Sequence, residues 1–421
     1  MSDAFSLAPQ IMRGLQLEDL GRYADAERAY REALAQEPND AFALQHLASC
    51  LLHLPQRQVE ALTTIDRAIA IEPNEAGHHV LRSFILTGAG EPKHGLAAAQ
   101  TALGLDPHHT WAFTAEAQAH LLTEQWPLAE ASALQALALD AENSTAANQL
   151  AQALRLQNKL GENAAHLAGM LARDPENPFT HSNAGWAALQ RGERREAETH
   201  FREALRLDPD FEPARDGLLT SFRARSPIYR TYLRYCFFMQ RLSAKSRWAV
   251  ILGLYFGVKF ARLIPGGFII SALYMLFVLW VWVAKPFGNF FLLFDSFARY
   301  ALRPAEKREA VAVGGGLLAG LAILATGAAL GAAPVVLLGL GFIAASFPLS
   351  MTFTNGSRPG TYIFGTVAAI TLLGALLQLL AGHVPLIEAD AAMTIFNAGA
   401  IGCLASTWLG NVPALRRPAE W

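Results

Sequence analysis

Proline returns along the first half of this 421-residue chain with a period that a single globular core does not generate. Pro38, Pro73, Pro107, Pro175 and Pro209 share one register, and Ala141 fills the place where proline is missing. The successive intervals are 35, 34, 34, 34 and 34 residues. Each register point lies in a short acidic phrase: EPN, EPN, DPH, DAE, DPE and DPD. Small residues recur twelve and five positions earlier: Ala26 and Ala33, Ala61 and Ala68, Gly95 and Ala102, Ala129 and Ala136, Ala197 and Ala204. The fifth unit departs, with Asn163 and Met170. Eight positions before the register point stand Tyr30, Ile65, Leu167 and Phe201, with Ala99 and Ala133 in the other units. A period of this size marks stacked units that cannot bury an apolar face alone. Small residues let two antiparallel helices approach, and proline halts one helix before the next unit begins. The extra residue of the first interval falls around Leu54–Gln58, where a turn absorbs it.

The pattern resembles the tetratricopeptide repeat (TPR), in six copies from about Leu7 to Asp210. "GRYADAERAYREALAQEPND" and "RGERREAETHFREALRLDPD" carry the resemblance best. It implies an all-α fold, a solenoid of about six helix pairs with an extended concave face. In that family positions 2, 5, 9 and 12 of each first helix line the face. Carried over, they nominate Phe42, Gln45, Phe84, Trp111, Gln118, Asn148, Gln152, Arg155, Phe179 and Trp186 as peptide-binding residues. Rings anchor a peptide's side chains and amides satisfy its backbone. The competing reading is that these aromatics fill gaps between repeats. The basic and asparagine clamp that some family members use for chaperone tails begins at position 5 of a first repeat, which here is Ile11, so that ligand class is not expected. Phe211–Phe222 reads as one unpaired capping helix, which closes a solenoid spanning residues 1–222.

After Asp216 the composition changes. No Asp or Glu occurs before Asp295, while Arg223, Arg225, Arg230, Arg234, Arg241, Lys245 and Arg247 crowd the start of that stretch. A charged fraction of 17% and a hydrophobic fraction of 52% fit a chain partly dissolved in lipid. Residues 223–247 are expected to form a basic amphipathic juxtamembrane helix. At 100° per residue Arg230, Arg234 and Arg241 share a narrow sector opposite Ile228, Tyr232, Tyr235, Met239 and Leu242, with Phe237 out of place. Arg230, Arg234, Arg241, Lys245 and Arg247 are the expected contacts with anionic headgroups. A second interfacial helix is expected near 287–303.

Apolar runs of about 20 residues are long enough to cross a bilayer. Six candidates fill residues 248–421: Trp248–Ile264, Gly266–Ala284, Ala310–Leu330, Ala333–Thr352, Thr361–Ala381 and Ala391–Leu409. Basic loops accumulate on the cytoplasmic side. The basic stretches 223–247 and 285–309, Arg358 and Arg416–Arg417 place both termini and the repeats there, in a multi-pass cell (inner) membrane protein; only Arg262 dissents. Gly316-x-x-x-Gly320 and Gly327-x-x-x-Gly331 look built for helix packing. Gln378, Asn397 and Thr407 are the chief polar residues within the spans.

Motifs for chemistry are missing from the sequence: no H-E-x-x-H, phosphate-cradling loop or nucleophile elbow occurs. No enzyme activity, metal or cofactor is expected, and nucleic acid is not expected as a partner. His78-His79 and His108-His109 have no Cys or carboxylate at ligand spacing. Cys50, Cys236 and Cys403 read as free thiols. No secretory leader is expected ahead of the repeats. The whole resembles multi-pass bacterial membrane proteins that carry an N-terminal TPR array. The leading expectation is a membrane-anchored scaffold for unknown protein partners. The alternative is a transporter or intramembrane enzyme whose repeats are regulatory.

Overall fold

The computed structural model describes residues 9–261, 263, 265–353, 355–381, 383–384, 386–410, 412 and 414–416. Every element along these residues is helical. By internal contacts the chain divides into two compact units. One holds the chain up to Ala187 with Gln240–Lys245, the other Ala188–Met239 with everything from Ser246 onward.

The first unit is built of antiparallel helix pairs: α1 (Pro9–Asp19) with α2 (Tyr23–Gln36), α3 (Ala41–His53) with α4 (Gln58–Ile71), α5 (Ala76–Gly88) with α6 (Pro92–Leu105), α7 (Thr110–Leu122) with α8 (Trp126–Leu139), and α9 (Ser144–Leu156) with α10 (Leu160–Arg173). Helix α11 (Pro178–Arg191) begins the sixth pair. The small residues of the register lie between helices: Ala26, Ala61, Ala68, Ala99, Ala102, Ala129, Ala133 and Ala136 are wholly buried. Tyr30 and Ile65, the larger members, are buried with them. Capping follows the same period. Asp40 and Asn143 accept the Ala43 and Ala146 amides at 3.0 and 2.9 Å, which supplies partners for first-turn N–H groups.

The turn inside each pair needs one residue with positive φ. Gly21, Gln56, Gly90, Glu124, Asn158 and Gly192 hold it. Glycine adopts this conformation without the Cβ penalty, whereas the glutamine and glutamate bear it. The α3–α4 turn has the one extra residue anticipated at 54–58.

The second unit starts with α12 (Arg194–Leu207) and α13 (Glu212–Arg223), continues through α14 (Pro227–Arg241) and α15 (Ala244–Ala261), and then enters α16 (Gly267–Leu292). Short α17 (Ala298–Ala301) and α18 (Pro304–Ala310) lead through a π-helical turn, Val311–Gly315, into α19 (Gly316–Leu330). Helices α20 (Ala333–Leu349), α21 (Arg358–Leu380) and α22 (Ala389–Leu409) complete it.

Four helical stretches are long and apolar enough to cross a membrane: Gly267–Leu292, Pro304–Leu330, Arg358–Leu380 and Ala389–Leu409. Helix α20 is apolar but shorter, at 17 residues. Helix α15 has 18 residues and includes Lys245, Arg247 and Lys259, so the expected count of six spans falls to four plus these two lesser candidates. The separate interfacial helix expected at 287–303 is not one element. Helix α16 runs on through Leu292, with Phe287, Phe290 and Phe291 meeting edge to face along it, and Asp295 then caps a new start by accepting the Phe297 and Ala298 amides at 2.9 Å.

Helices α19–α22 pack through glycine. A Cβ on Gly339 would come within 2.5 Å of the Leu324 amide nitrogen, and one on Gly327 within 2.6 Å of the Val336 nitrogen. Gly374 meets the Phe396 backbone in the same way, and Gly399 that of Thr371. Of the two expected small-residue pairs, Gly320 and Gly327 make such contacts. Gly331 is the left-handed cap that ends α19, with open space around it.

Candidate functional site

All ten nominated groove residues fall on the first helix of a pair. Phe42 and Gln45 are on α3, Phe84 on α5, Trp111 and Gln118 on α7, Asn148, Gln152 and Arg155 on α9, and Phe179 and Trp186 on α11. Phe42, Trp111 and Phe179 are 40%, 47% and 56% exposed, far more than core rings. Phe84 is half-buried and meets the Trp111 ring edge-on, with centroids 6.4 Å apart. Trp186, Gln118 and Asn148 are half-buried too, and Gln152 is exposed.

Two of the polar members, Asn148 and Gln45, have side-chain partners. Asn148 donates to the Ser144 carbonyl at 2.9 Å and accepts from Asn183 at 2.9 Å. Gln45 Oε1 lies 2.8 Å from Nδ1 of buried His78, and burial pulls the pKa of that imidazole below the usual value. The neighbouring His79 Nε2 sits 2.9 Å from the Pro73 carbonyl. Among the described residues no group of three or more His, Cys, Asp or Glu is placed to hold a metal ion. Desolvation pushes the half-buried Arg155 guanidinium down to about 10, which leaves it charged at neutral pH.

On α14 one face packs against the protein. Tyr229, Leu233 and Phe237 are buried, whereas Ile228 is 62% exposed. The reason is α16: Tyr235 packs edge-on to Phe277 at 5.3 Å, and Tyr229 lies against Gly288. Arg230, Arg234 and Lys245 are exposed, and Arg241 and Arg247 are half-buried.

Helix α13 is more than a lid. Arg223 is only 4% exposed and donates from Nε to the Asn289 Oδ1 of α16 at 2.8 Å and from Nη1 to Thr220 Oγ1 at 3.3 Å. Gly288 admits it: a Cβ there would lie 3.2 Å from the Arg223 stem. Arg215 pairs with buried Glu306 of α18 at 2.5 Å, and Glu306 also accepts the Arg303 amide at 2.9 Å. Arg303 pairs in turn with Glu212. Arg225 pairs with Asp295 at 2.7 Å. Backbone amides from Ala298 and Phe297, and then that guanidinium, hold the Asp295 carboxyl below the ordinary value. Phe222 meets the Phe297 ring at 6.2 Å, and the Arg202 guanidinium lies over both.

Residues 11–76 and 114–178 match one tetratricopeptide-repeat family model, and residues 178–211 match a second. The N-terminal array is a TPR domain. Among similar solved structures is YrrB, described as a TPR protein with an unusual peptide-binding site. It is 21% identical and covers 44% of this chain and 95% of its own, with a TM-score of 0.33. A thermophilic TPR protein of Thermus thermophilus is 22% identical over 50% of this chain and 96% of its own, with a TM-score of 0.33. PilW, a type IV pilus biogenesis factor, is 20% identical over 50% and 96%, with a TM-score of 0.43. No curated protein matches the chain.

Helix α12, the second of the sixth pair, and the following α13 thus belong to the same compact unit as the apolar helices. Sequence reasoning read α13 as a cap alone and missed Arg223, Asn289 and Glu306. The available signal was that Asp295, Glu306 and Glu309 are the first acids after 78 acid-free residues, in a chain segment otherwise basic. Of the polar residues expected inside the spans, Gln378 donates to the Ala389 carbonyl at 2.8 Å, Thr407 donates to the Leu404 carbonyl at 2.6 Å, and Asn397 is exposed on α22. Arg262 and Arg417 lie outside the described residues.

Proposed function

We propose that this protein is a membrane-held scaffold whose TPR groove takes up an extended segment of a partner protein at the cytoplasmic face. The observation that carries the reading is the partial exposure of Phe42, Trp111 and Phe179, three large rings that reach the surface on the first helices of separate repeats. Exposed aromatics beside amides are what hot spots of peptide recognition are made of. Arg155 adds a cation on the same layer of first helices, which favours a carboxylate in the partner. The peptide is therefore expected to carry an acidic side chain or its own C-terminal carboxylate. The apolar helices would hold the array at the bilayer, and the exposed Arg230, Arg234 and Lys245 support a basic, cytoplasmic side for it.

The test puts a photo-crosslinking residue at position 42, 111 or 179, or at Leu134 on the second helix α8, in the full-length protein in cells. Adducts with one partner are expected from the first three positions and are expected to weaken when Arg155 is replaced by Gln. Equal adducts from Leu134, which is also 47% exposed, would contradict a groove and favour non-specific contact.

A further inference from the structure

A cleft of about 630 Å³ opens between the turn that enters α12 and the turn that enters α14, inside the second unit. Its charged lining is Arg194, Arg195, Arg225, Arg230, Glu193 and Glu196. Both acids are already engaged, since Arg191 pairs with Glu193 at 2.5 Å and with Glu196 at 2.9 Å. Arg194 pairs with Glu198, and Arg225 reaches Asp295 and Glu198. Arg195 and Arg230 stand exposed, with no acid against either among the described residues. The helix fields make the arrangement more unusual. Arg194 and Arg195 are the first two residues of α12, and Arg230 lies in the first turn of α14. The amino end of a helix is its positive pole, so cations there are opposed by the dipole and anions are favoured. The α12 end carries Glu193 and Glu196 beside its arginines, whereas the first turn of α14 has no acid, and four guanidinium groups, two of them without an acid, converge on one hollow.

We propose that this cleft binds a phosphate group, with Arg195 and Arg230 supplying forked, charge-assisted hydrogen bonds. The phosphate belongs either to the headgroup of an acidic phospholipid or to a soluble anion. The lipid source alone rests on the membrane reading above.

The experiment uses the full chain purified in a neutral detergent. Retention of phosphatidic acid, with phosphatidylcholine as the uncharged comparison, is read by native mass spectrometry. Binding of inorganic phosphate is read by calorimetry. The variant is Arg195→Gln with Arg230→Gln, and its control is Arg28→Gln with Arg206→Gln, the same charge change at exposed positions that do not line the cleft. The cleft variant is expected to lose retention by about tenfold or more, as for loss of one or two charge-assisted bonds, with an unchanged melting temperature. Arg195→Lys with Arg230→Lys should keep part of it. Preference for phosphatidic acid supports the lipid source, and binding of inorganic phosphate without lipid preference supports the soluble one. Wild-type retention of both ligands in the Gln variant would overturn the site. Release of the unmodified protein from membranes by alkaline carbonate would instead remove the membrane reading and leave the phosphate arm standing.

Discussion

The TPR pairs and the α19–α22 bundle are both held by small residues, yet they use them differently. In the repeats the close positions are mostly alanine: Ala61, Ala99, Ala129 and Ala136 are wholly buried, and larger residues such as Tyr30 and Ile65 fill what the alanines leave. Water drives that burial at about 25 cal/mol per Å² of apolar surface, so a methyl at the contact is useful area. In the bundle the close positions are glycine, and backbone meets backbone at Gly339–Leu324 and Gly374–Phe396. Lipid gives no such drive between helices, so dispersion and close approach must hold them. The ion pairs divide in the same way. The repeats carry Arg57–Glu60 and Lys159–Glu130 among many, while α19–α22 carry none among the described residues. One architectural device is thus built from two different residues, as two different solvents would require.

The contrast breaks most sharply at Gly374. Gly374→Val has to drive its side chain into the Phe396 amide, so α21 and α22 must separate, at a cost of about 3 kcal/mol or more. Ala129→Val adds comparable bulk to the α7–α8 pair but is expected to cost about 1–3 kcal/mol and to stay within neighbouring repeats. Denaturant titration in micelles for the first and in buffer for the second gives the order. Equal losses would mean that the glycines are not special.

A smaller effect is expected where α13 meets α16. Arg223→Ala removes a charged donor and leaves buried Asn289 without its partner, at about 2–3 kcal/mol. Arg230→Ala, on an exposed position seven residues on, should stay within about 0.5 kcal/mol. Reactivity of half-buried Cys236 on α14 reports on both, rising only in the first variant.

The smallest effect runs the other way. Asn163 replaces the register's small residue in the fifth pair, is 1% exposed, and has no hydrogen-bond partner for either side-chain polar atom among the described residues. Asn163→Ala should raise stability by about 1–2 kcal/mol. A drop in melting temperature would mean that the amide is satisfied in solution.

The period in the sequence was enough to place the helix pairs, because small residues and prolines act locally. The same locality explains what stayed hidden. Gln56, Glu124 and Asn158 hold the left-handed turn without being glycine, so only the conformations of Gly21, Gly90 and Gly192 had a visible signature. The wheel for α14 sorted its residues by polarity alone, so it could not show that Phe237, the residue that fitted worst, is one of those that pack within the protein. Arg223 read as one more juxtamembrane cation because its acceptor, Asn289, lies 66 residues away. The groove residues were implied by the resemblance to the TPR family, carried over by register, and each of them falls on a first helix.

The central claim is that the two halves live in different solvents. Single-tryptophan proteins keeping only Trp111 of α7 or only Trp408 of α22, both well exposed at 47% and 68%, test it in reconstituted vesicles. Iodide in the buffer should quench Trp111 and spare Trp408, whereas brominated lipid should quench Trp408 and spare Trp111. Quenching of Trp408 by iodide with no response to brominated lipid would contradict the account.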